Sequence, residues 1–171
     1  MKVVTVDQMV GLEQAAVRHG VSLDTLMENA GLAVAKAARN ELGGAAGKRV
    51  LVLVGPGNNG ADGLVAARHL SRWGANATAY LVLNRPNSDP KMKPALEYGV
   101  TVTGVDQDPE LAALDQLMGR CHLVIDAILG TGKSRPLSGP VKAVMSRLEA
   151  CRHTTHHPIL MALDLPTALD P

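Results

Sequence analysis

The fold is decided by the stretch RVLVLVGPGNNGADG, which runs from Arg49 to Gly63. From Val50 to Val54 it contains only valine and leucine, which is typical of a strand buried on both faces of a parallel sheet. A glycine-rich turn follows at once, and residues 60–73 then have the spacing of an amphipathic helix. The stretch therefore predicts a strand, a tight turn and a helix, which together open an α/β fold.

Four more strand-like runs alternate with helical patterns farther along the chain. They lie at 77–83, 100–105, 122–125 and 158–163. Strands that alternate with helices are joined by right-handed crossovers. We therefore predict an α/β fold with a Rossmann-like, doubly wound parallel sheet that carries helices on both faces.

Two helices are predicted before the first strand and a capped helix after the third. Asp7 is the predicted cap of the first helix, and the second helix begins after Ser22 with a face of small residues that includes Ala33 and Ala37. Asp108 is predicted to cap a helix that begins at the following proline.

Composition restricts the classes of function. The 171 residues fit one domain, and 17 basic against 16 acidic residues give a net charge of +1 without a basic cluster. This disfavours nucleic acid and membrane surfaces as partners. The two cysteines form no CxxC pattern, and the N-terminus lacks the apolar centre of a signal peptide, so we expect a cytoplasmic protein.

Three polar, turn-forming stretches follow three of the predicted strands. They are Gly55–Gly63, Asp126–Pro140 and Asp164–Pro171. Ligands of open α/β sheets bind outside the carboxyl ends of the strands. We therefore expect the three loops to share one rim of the sheet and to form the functional site.

Two familiar nucleotide motifs are present in part. Residues 55–60 fit G-x-G-x-x-G, which keeps an NADP-dependent oxidoreductase open as an alternative. Asn84 and Arg85 stand where an acid would hold a ribose, which is compatible at best with a ribose 2′-phosphate, and Asp62 would repel pyrophosphate. Residues 127–134 fit a permissive P-loop pattern. Two prolines and a glycine follow in the next six residues, which prevents the helix that a P-loop requires.

Four motifs together resemble the NAD(P)H-hydrate epimerases, the YjeF N-terminal domain family that includes the animal apolipoprotein A-I binding proteins. They are LMENAG at 26–31, GPGNNGADG at 55–63, DAILGTGKSRPLSGP at 126–140 and DLPTALD at 164–170. The resemblance covers nearly the whole chain in the family's order. It implies a single domain over residues 1–171, truncated at its C-terminal end, that belongs to a bifunctional epimerase and dehydratase or acts beside a separate dehydratase.

The resemblance also implies an isomerase that acts in nicotinamide-cofactor repair. The small-molecule substrate would be NADH or NADPH hydrated at C6 of the nicotinamide ring, and the reaction would interconvert its R and S forms. Potassium would be bound by Asn59, Asp126 and Thr167. Substrate contacts would come from Asn58, Asn59, Gly60, Ala61, Asp62, Gly130, Thr131, Gly132, Lys133, Ser134, Arg135, Pro136 and Asp164.

The chemistry of the substrate suggests the role of one carboxylate. C6 is a hemiaminal carbon, so protonation of its hydroxyl expels water and leaves an iminium ion that water re-enters from either face. A positioned acid/base group and a field that supports the cation suffice for this reaction. Our hypothesis is that Asp164 is the catalytic carboxylate.

Two departures from the family pattern keep a second class of function open. Ala61 and Ala168 stand where the family carries glycine, and a positive φ at either position would be strained. A catalytically silent nucleotide-binding or scaffold domain of the same fold is therefore an alternative. The small residues of the second helix are also compatible with a homodimer.

Overall fold

The computed structural model describes residues 5–86, 88–130, 136–154 and 157–168. The helices are α1 (Val6–Arg18), α2 (Leu23–Glu41), α3 (Asn58–Arg72), α4 (Met92–Glu97), α5 (Ala112–Met118) and α6 (Gly139–Arg152), with a short 3₁₀ turn at Val105–Gln107. The strands are β1 (Arg49–Val54), β2 (Asn76–Leu81), β3 (Thr101–Gly104), β4 (Leu123–Ala127) and β5 (Ile159–Ala162).

The five strands form one sheet in the order β3-β2-β1-β4-β5, and every neighbouring pair is parallel. This confirms the predicted doubly wound fold. The strand order reverses between β1 and β4, so the loops that follow these two strands flank the central crevice. None of the helices in the described part of the chain combines the length and the hydropathy of a membrane span.

Successive residues of the strands face two separate cores. Val50 and Val52 pack with α2, α3 and α4, whereas Leu51 and Leu53 pack with α5 and α6. The first core is rich in alanine and valine, so its helices lie close to the sheet. At Gly63 of α3, a methyl group would lie 2.7 Å from the Ala127 Cβ.

Helix α2 packs on α3 through the face that carries Gly31. Gly31, Ala35 and Ala38 are buried, while Ala33 and Ala37 are exposed. A Cβ at Gly31 would lie 2.5 Å from the Val65 Cβ. The glycine thus selects the contact face, because it alone lets the two helix backbones approach this closely.

Two predicted helix starts are corrected. Thr5, not Asp7, caps α1, because its side chain accepts from the Gln8 amide in a capping box. The helix predicted from residue 109 begins only at Ala112. Asp108 still caps it from a distance, since its carboxylate accepts from the amides of residues 113 and 114 at 3.1 and 2.9 Å.

A pair of glycine substitutions tests the α2–α3 contact. We expect Gly31→Ala to lower the free energy of unfolding by about 1–3 kcal/mol, because the added methyl overpacks the contact. Gly11→Ala in the exposed α1, where the methyl meets nothing within 4 Å, should instead stabilise by about 0.5–1 kcal/mol. Urea unfolding measures both values, and an equal gain in both variants would contradict the close contact.

Candidate active site

The glycine-rich turn is built by close backbone contacts. Gly55 donates its N–H to the Ala127 carbonyl at 3.1 Å, which extends the β1–β4 pairing by one residue. A methyl at Gly55 would overlap the Ile128 carbonyl, and a methyl at Gly60 would overlap that of Gly55. The predicted substrate-contact residues Asn58–Asp62 therefore lie in the first turn of α3, directly over the sheet's carboxyl edge.

Arg85 holds this turn from behind. Its guanidinium donates to the carbonyls of Gly55 and Gly57, the latter at 2.9 Å, and it pairs with the Asp89 carboxylate. The Arg85 side chain is only 5% exposed. Its charge is therefore directed into the protein, and the interpretation of Arg85 as a residue for a ribose 2′-phosphate is wrong.

Asp126 joins the exit of β4 to the loop after β5. One carboxylate oxygen accepts from the Thr167 hydroxyl at 2.8 Å and from the Ile128 amide at 3.2 Å, and the other accepts from the Thr167 amide at 2.8 Å. The Thr167 hydroxyl oxygen also accepts from the Leu129 amide at 3.1 Å. Asp126 and Thr167 are both 6% exposed. The second and third predicted loops are thus tied together at a buried carboxylate.

Asn59 and Asp164 meet beside Gly130. A Cβ at Gly130 would lie 2.5 Å from Asp164 Oδ2 and 3.2 Å from Asn59 Oδ1. Asp164 has a φ of 68°, a left-handed conformation that aspartate tolerates better than most residues. All three predicted loops therefore contribute polar atoms to one place.

Asp62 is the titratable group with the clearest perturbation in this region. Burial, with additional repulsion from Glu13 and Asp164, raises its pKa to about 7. Its Oδ1 and the Asn59 Nδ2 have no hydrogen-bond partner within the part of the chain that is described. Such buried, unsatisfied groups are typical of sites that complete their hydrogen bonds with a ligand.

The remaining predicted contacts are divided between described and undescribed residues. Gly130 lies in the site, and Pro136 is exposed on the connection to α6. Thr131, Gly132, Lys133, Ser134 and Arg135 lie outside the described residues.

Comparison with known proteins supports the same interpretation. The model of the family described as YjeF-related protein N-terminus matches residues 23–171. The chain belongs to this family. Its fold is similar to that of the yeast protein Ynu0 (YNL200c), with a TM-score of 0.80 and 29% identity over 98% of this chain and 71% of the yeast chain.

Two relatives of the YjeF N-terminal family show how much of a longer protein the chain can match. It is 35% identical to a bifunctional NAD(P)H-hydrate repair enzyme Nnr of Thermofilum pendens, over 99% of this chain and 32% of the relative. It is 32% identical to an NAD(P)H-hydrate epimerase of Nitrosopumilus maritimus, over 98% of this chain and 75% of the relative. The chain thus spans about a third of the bifunctional relative.

The two departures from the family pattern have different outcomes. Ala61 is buried in the first turn of α3, where its N–H bonds to the Gly57 carbonyl at 3.2 Å. It is not among the described residues with positive φ, so the strain considered for this position is not present. Ala168 does have a positive φ, of 77°, and it carries the cost that glycine would avoid.

The sequence interpretation missed the supporting role of Arg85. From its position after the second strand, Arg85 was considered only as a ligand for phosphate. The acidic residue four positions later, Asp89, was the available signal, since an arginine and a carboxylate at this spacing can pair and turn inward.

Replacement of Arg85 by lysine tests its role in holding the turn. One ammonium cannot reproduce the fork that reaches two carbonyls and a carboxylate, so we expect Arg85→Lys to cost about 1–3 kcal/mol in stability and to speed amide exchange at Gly60 and Ala61. Hydrogen exchange followed by mass spectrometry measures the effect. Arg72→Lys, at an exposed position over the Tyr98 ring, is the control, and the same exchange rates in both variants would contradict the role.

Proposed function

We propose that this chain interconverts the R and S epimers of NADH and NADPH hydrated at C6 of the nicotinamide ring. The observation that carries the proposal is the meeting of Asp164 and Asn59 at Gly130, beside the Asp126–Thr167 link, in a chain of the YjeF N-terminal family. Relatives with the name NAD(P)H-hydrate epimerase support the choice of substrate. The chemistry is an isomerisation, in which no hydride is transferred.

Asp164 is the proposed acid/base group. In the first half-reaction its carboxyl group gives a proton to the C6 hydroxyl, the C–O bond breaks, and water leaves behind a C6=N1 iminium ion. In the second half-reaction, water adds to the other face of C6 and returns a proton to the carboxylate. One group thus serves both directions, and the carboxylate that remains after proton transfer stabilises the cationic intermediate.

Asp62 is proposed to support binding. With a pKa of about 7, a large fraction of Asp62 is uncharged at neutral pH. A neutral carboxyl at the N-terminus of α3 does not repel the diphosphate of the substrate, and it can donate a hydrogen bond. Repulsion between a charged Asp62 and pyrophosphate therefore arises mainly above pH 7.

The residues predicted to hold potassium fit a hard cation. Asn59, Asp126 and Thr167 offer amide, carboxylate and hydroxyl oxygens, which such ions prefer. The Thr167 oxygen donates to Asp126 and accepts from the Leu129 amide, so a second lone pair is left for a cation. A bound cation would attract oxygen atoms from all three loops and so fix the positions of the loops relative to one another.

Neither rival function has comparable support. An NADP-dependent oxidoreductase loses its candidate for phosphate recognition, because Arg85 is engaged with Asp89 and the turn. A silent scaffold was favoured by the alanines at 61 and 168, and only Ala168 is strained. A dehydratase, fused or separate, is the proposed partner, since several relatives have the name bifunctional NAD(P)H-hydrate repair enzyme.

An Asp164→Asn variant tests the catalytic assignment. Asparagine also tolerates the left-handed backbone, so we expect the fold to persist and epimerisation to slow by about 10²–10⁴-fold. Chiral chromatography of one purified epimer of hydrated NADH gives the rate. Asp115→Asn, in the exposed Asp115–Arg147 pair, is the control and should retain the wild-type rate. An unaltered rate in Asp164→Asn would disprove its role.

A further inference from the structure

A cavity opens at the same rim of the sheet, on the side away from Asp164. It lies at the exits of β2 and β3 and encloses about 200 Å³. Its floor is apolar, with Leu81 and Val102 from the strands and Met92 and Leu96 from α4. Its edge is polar and is formed by Asn84, Arg85, Asp106 and Gln107.

The cavity adjoins the glycine-rich turn. Arg85 forms part of its wall and donates to the Gly57 carbonyl at 2.9 Å. The Arg85 side chain therefore separates the cavity from the turn that carries Asn58–Asp62. A ligand that contacts this turn can extend into the cavity without leaving the carboxyl edge.

The distance along the rim suits a dinucleotide. The cavity lies over β2 and β3, whereas Asp126 and Asp164 follow β4 and β5, with β1 between the two pairs. The two places are three strand spacings apart, or about 14 Å. Doubly wound folds bind dinucleotides in this way, with one mononucleotide over each half of the sheet.

The lining indicates which part of a dinucleotide would enter. A cavity smaller than the usual 300 Å³ or more of a drug-sized site holds one ring system, and the apolar floor suits a flat base. Amide and carboxylate groups at the edge can bind base amines and ribose hydroxyls. Among the described lining residues the positive charge is that of Arg85, which already pairs with Asp89, so the lining favours an uncharged nucleoside over a phosphate.

We infer that this cavity binds the adenosine end of the substrate. The inference rests on the proposed function, since it takes hydrated NADH, whose adenosine carries no 2′-phosphate, as the ligand. Binding energy from the adenosine, which does not react, would then help to hold the nicotinamide ring at Asp164. The substrate without its AMP half should lose much of its kcat/KM.

The test compares two substrates and two tryptophan variants. The substrates are hydrated NADH and the hydrate of reduced nicotinamide mononucleotide, which lacks the AMP half. Gln107→Trp fills the cavity from an exposed position, whereas Gln116→Trp places the same side chain in a cavity at the amino ends of the strands. Adenosine 5′-monophosphate is titrated separately against each protein and followed by amide chemical shifts.

Wild type and Gln116→Trp should favour the dinucleotide hydrate in kcat/KM by about tenfold or more, and Gln107→Trp should bring this ratio close to one. Adenosine 5′-monophosphate should shift the amides of Leu81 and Gly104 in wild type and Gln116→Trp, and much less in Gln107→Trp.

The experiment gives different results if adenosine does not bind in the cavity and if the proposed function is wrong. Equal kcat/KM for both hydrates in the wild type, or a Gln107→Trp variant that keeps the full ratio, would overturn the inference while epimerisation stands. If neither hydrate is epimerised, the proposed function fails. In that case the titration with adenosine 5′-monophosphate tests binding in the cavity by itself. Shifts of the Leu81 and Gly104 amides support binding there, whereas shifts elsewhere, or no shifts, overturn the inference.

Discussion

The site depends on the buried carboxylate of Asp126. It accepts three hydrogen bonds, two from Thr167 and one from Ile128, and so closes the loop after β5 against the exit of β4. The Leu163 amide continues the same pairing by donating to the Asp126 carbonyl at 2.8 Å. Loss of the carboxylate would leave the Thr167 amide without its acceptor, which is costly for a buried group. The position of Asp164 follows from this closure, because it lies between Leu163 and Thr167.

The glycine-rich turn, on the other side of the site, is held by a line of charged side chains that reaches α2. Arg85 contacts the glycine-rich turn and pairs with Asp89, and Asp89 accepts from the Lys91 amide at 2.8 Å. The Lys91 ammonium, 5% exposed, lies 2.7 Å from carboxylate oxygens of both Asp24 and Glu28. Burial alone would lower the pKa of Lys91, but these two carboxylates raise it above its usual value. The LMENAG motif, which contains Glu28, thus supports the glycine-rich turn through this line of charges.

The sequence was sufficient to predict the elements and the shared rim, but not the contacts behind them. Runs of branched apolar residues identified β1 and β4, because these central strands are buried on both faces. The other strands were identified from short apolar or β-branched runs that alternate with helical patterns. The sequence did not settle which face of α2 packs on α3, because the alanine spacing fits more than one stripe and only the contact between Gly31 and Val65 distinguishes them. Arg85 was misassigned because its direction depends on long-range backbone carbonyls. The strain at Ala168 was foreseen correctly, whereas Ala61 proved to be helical.

The central claim is that the site removes and returns water at C6 of the nicotinamide ring. It is tested most directly by epimerisation in H₂¹⁸O of hydrated NADH that carries deuterium at C6. Mass spectrometry of the separated epimers should show that each inverted molecule has gained one ¹⁸O and has kept its deuterium. Inversion with the original oxygen retained, or with loss of the deuterium, would contradict the account.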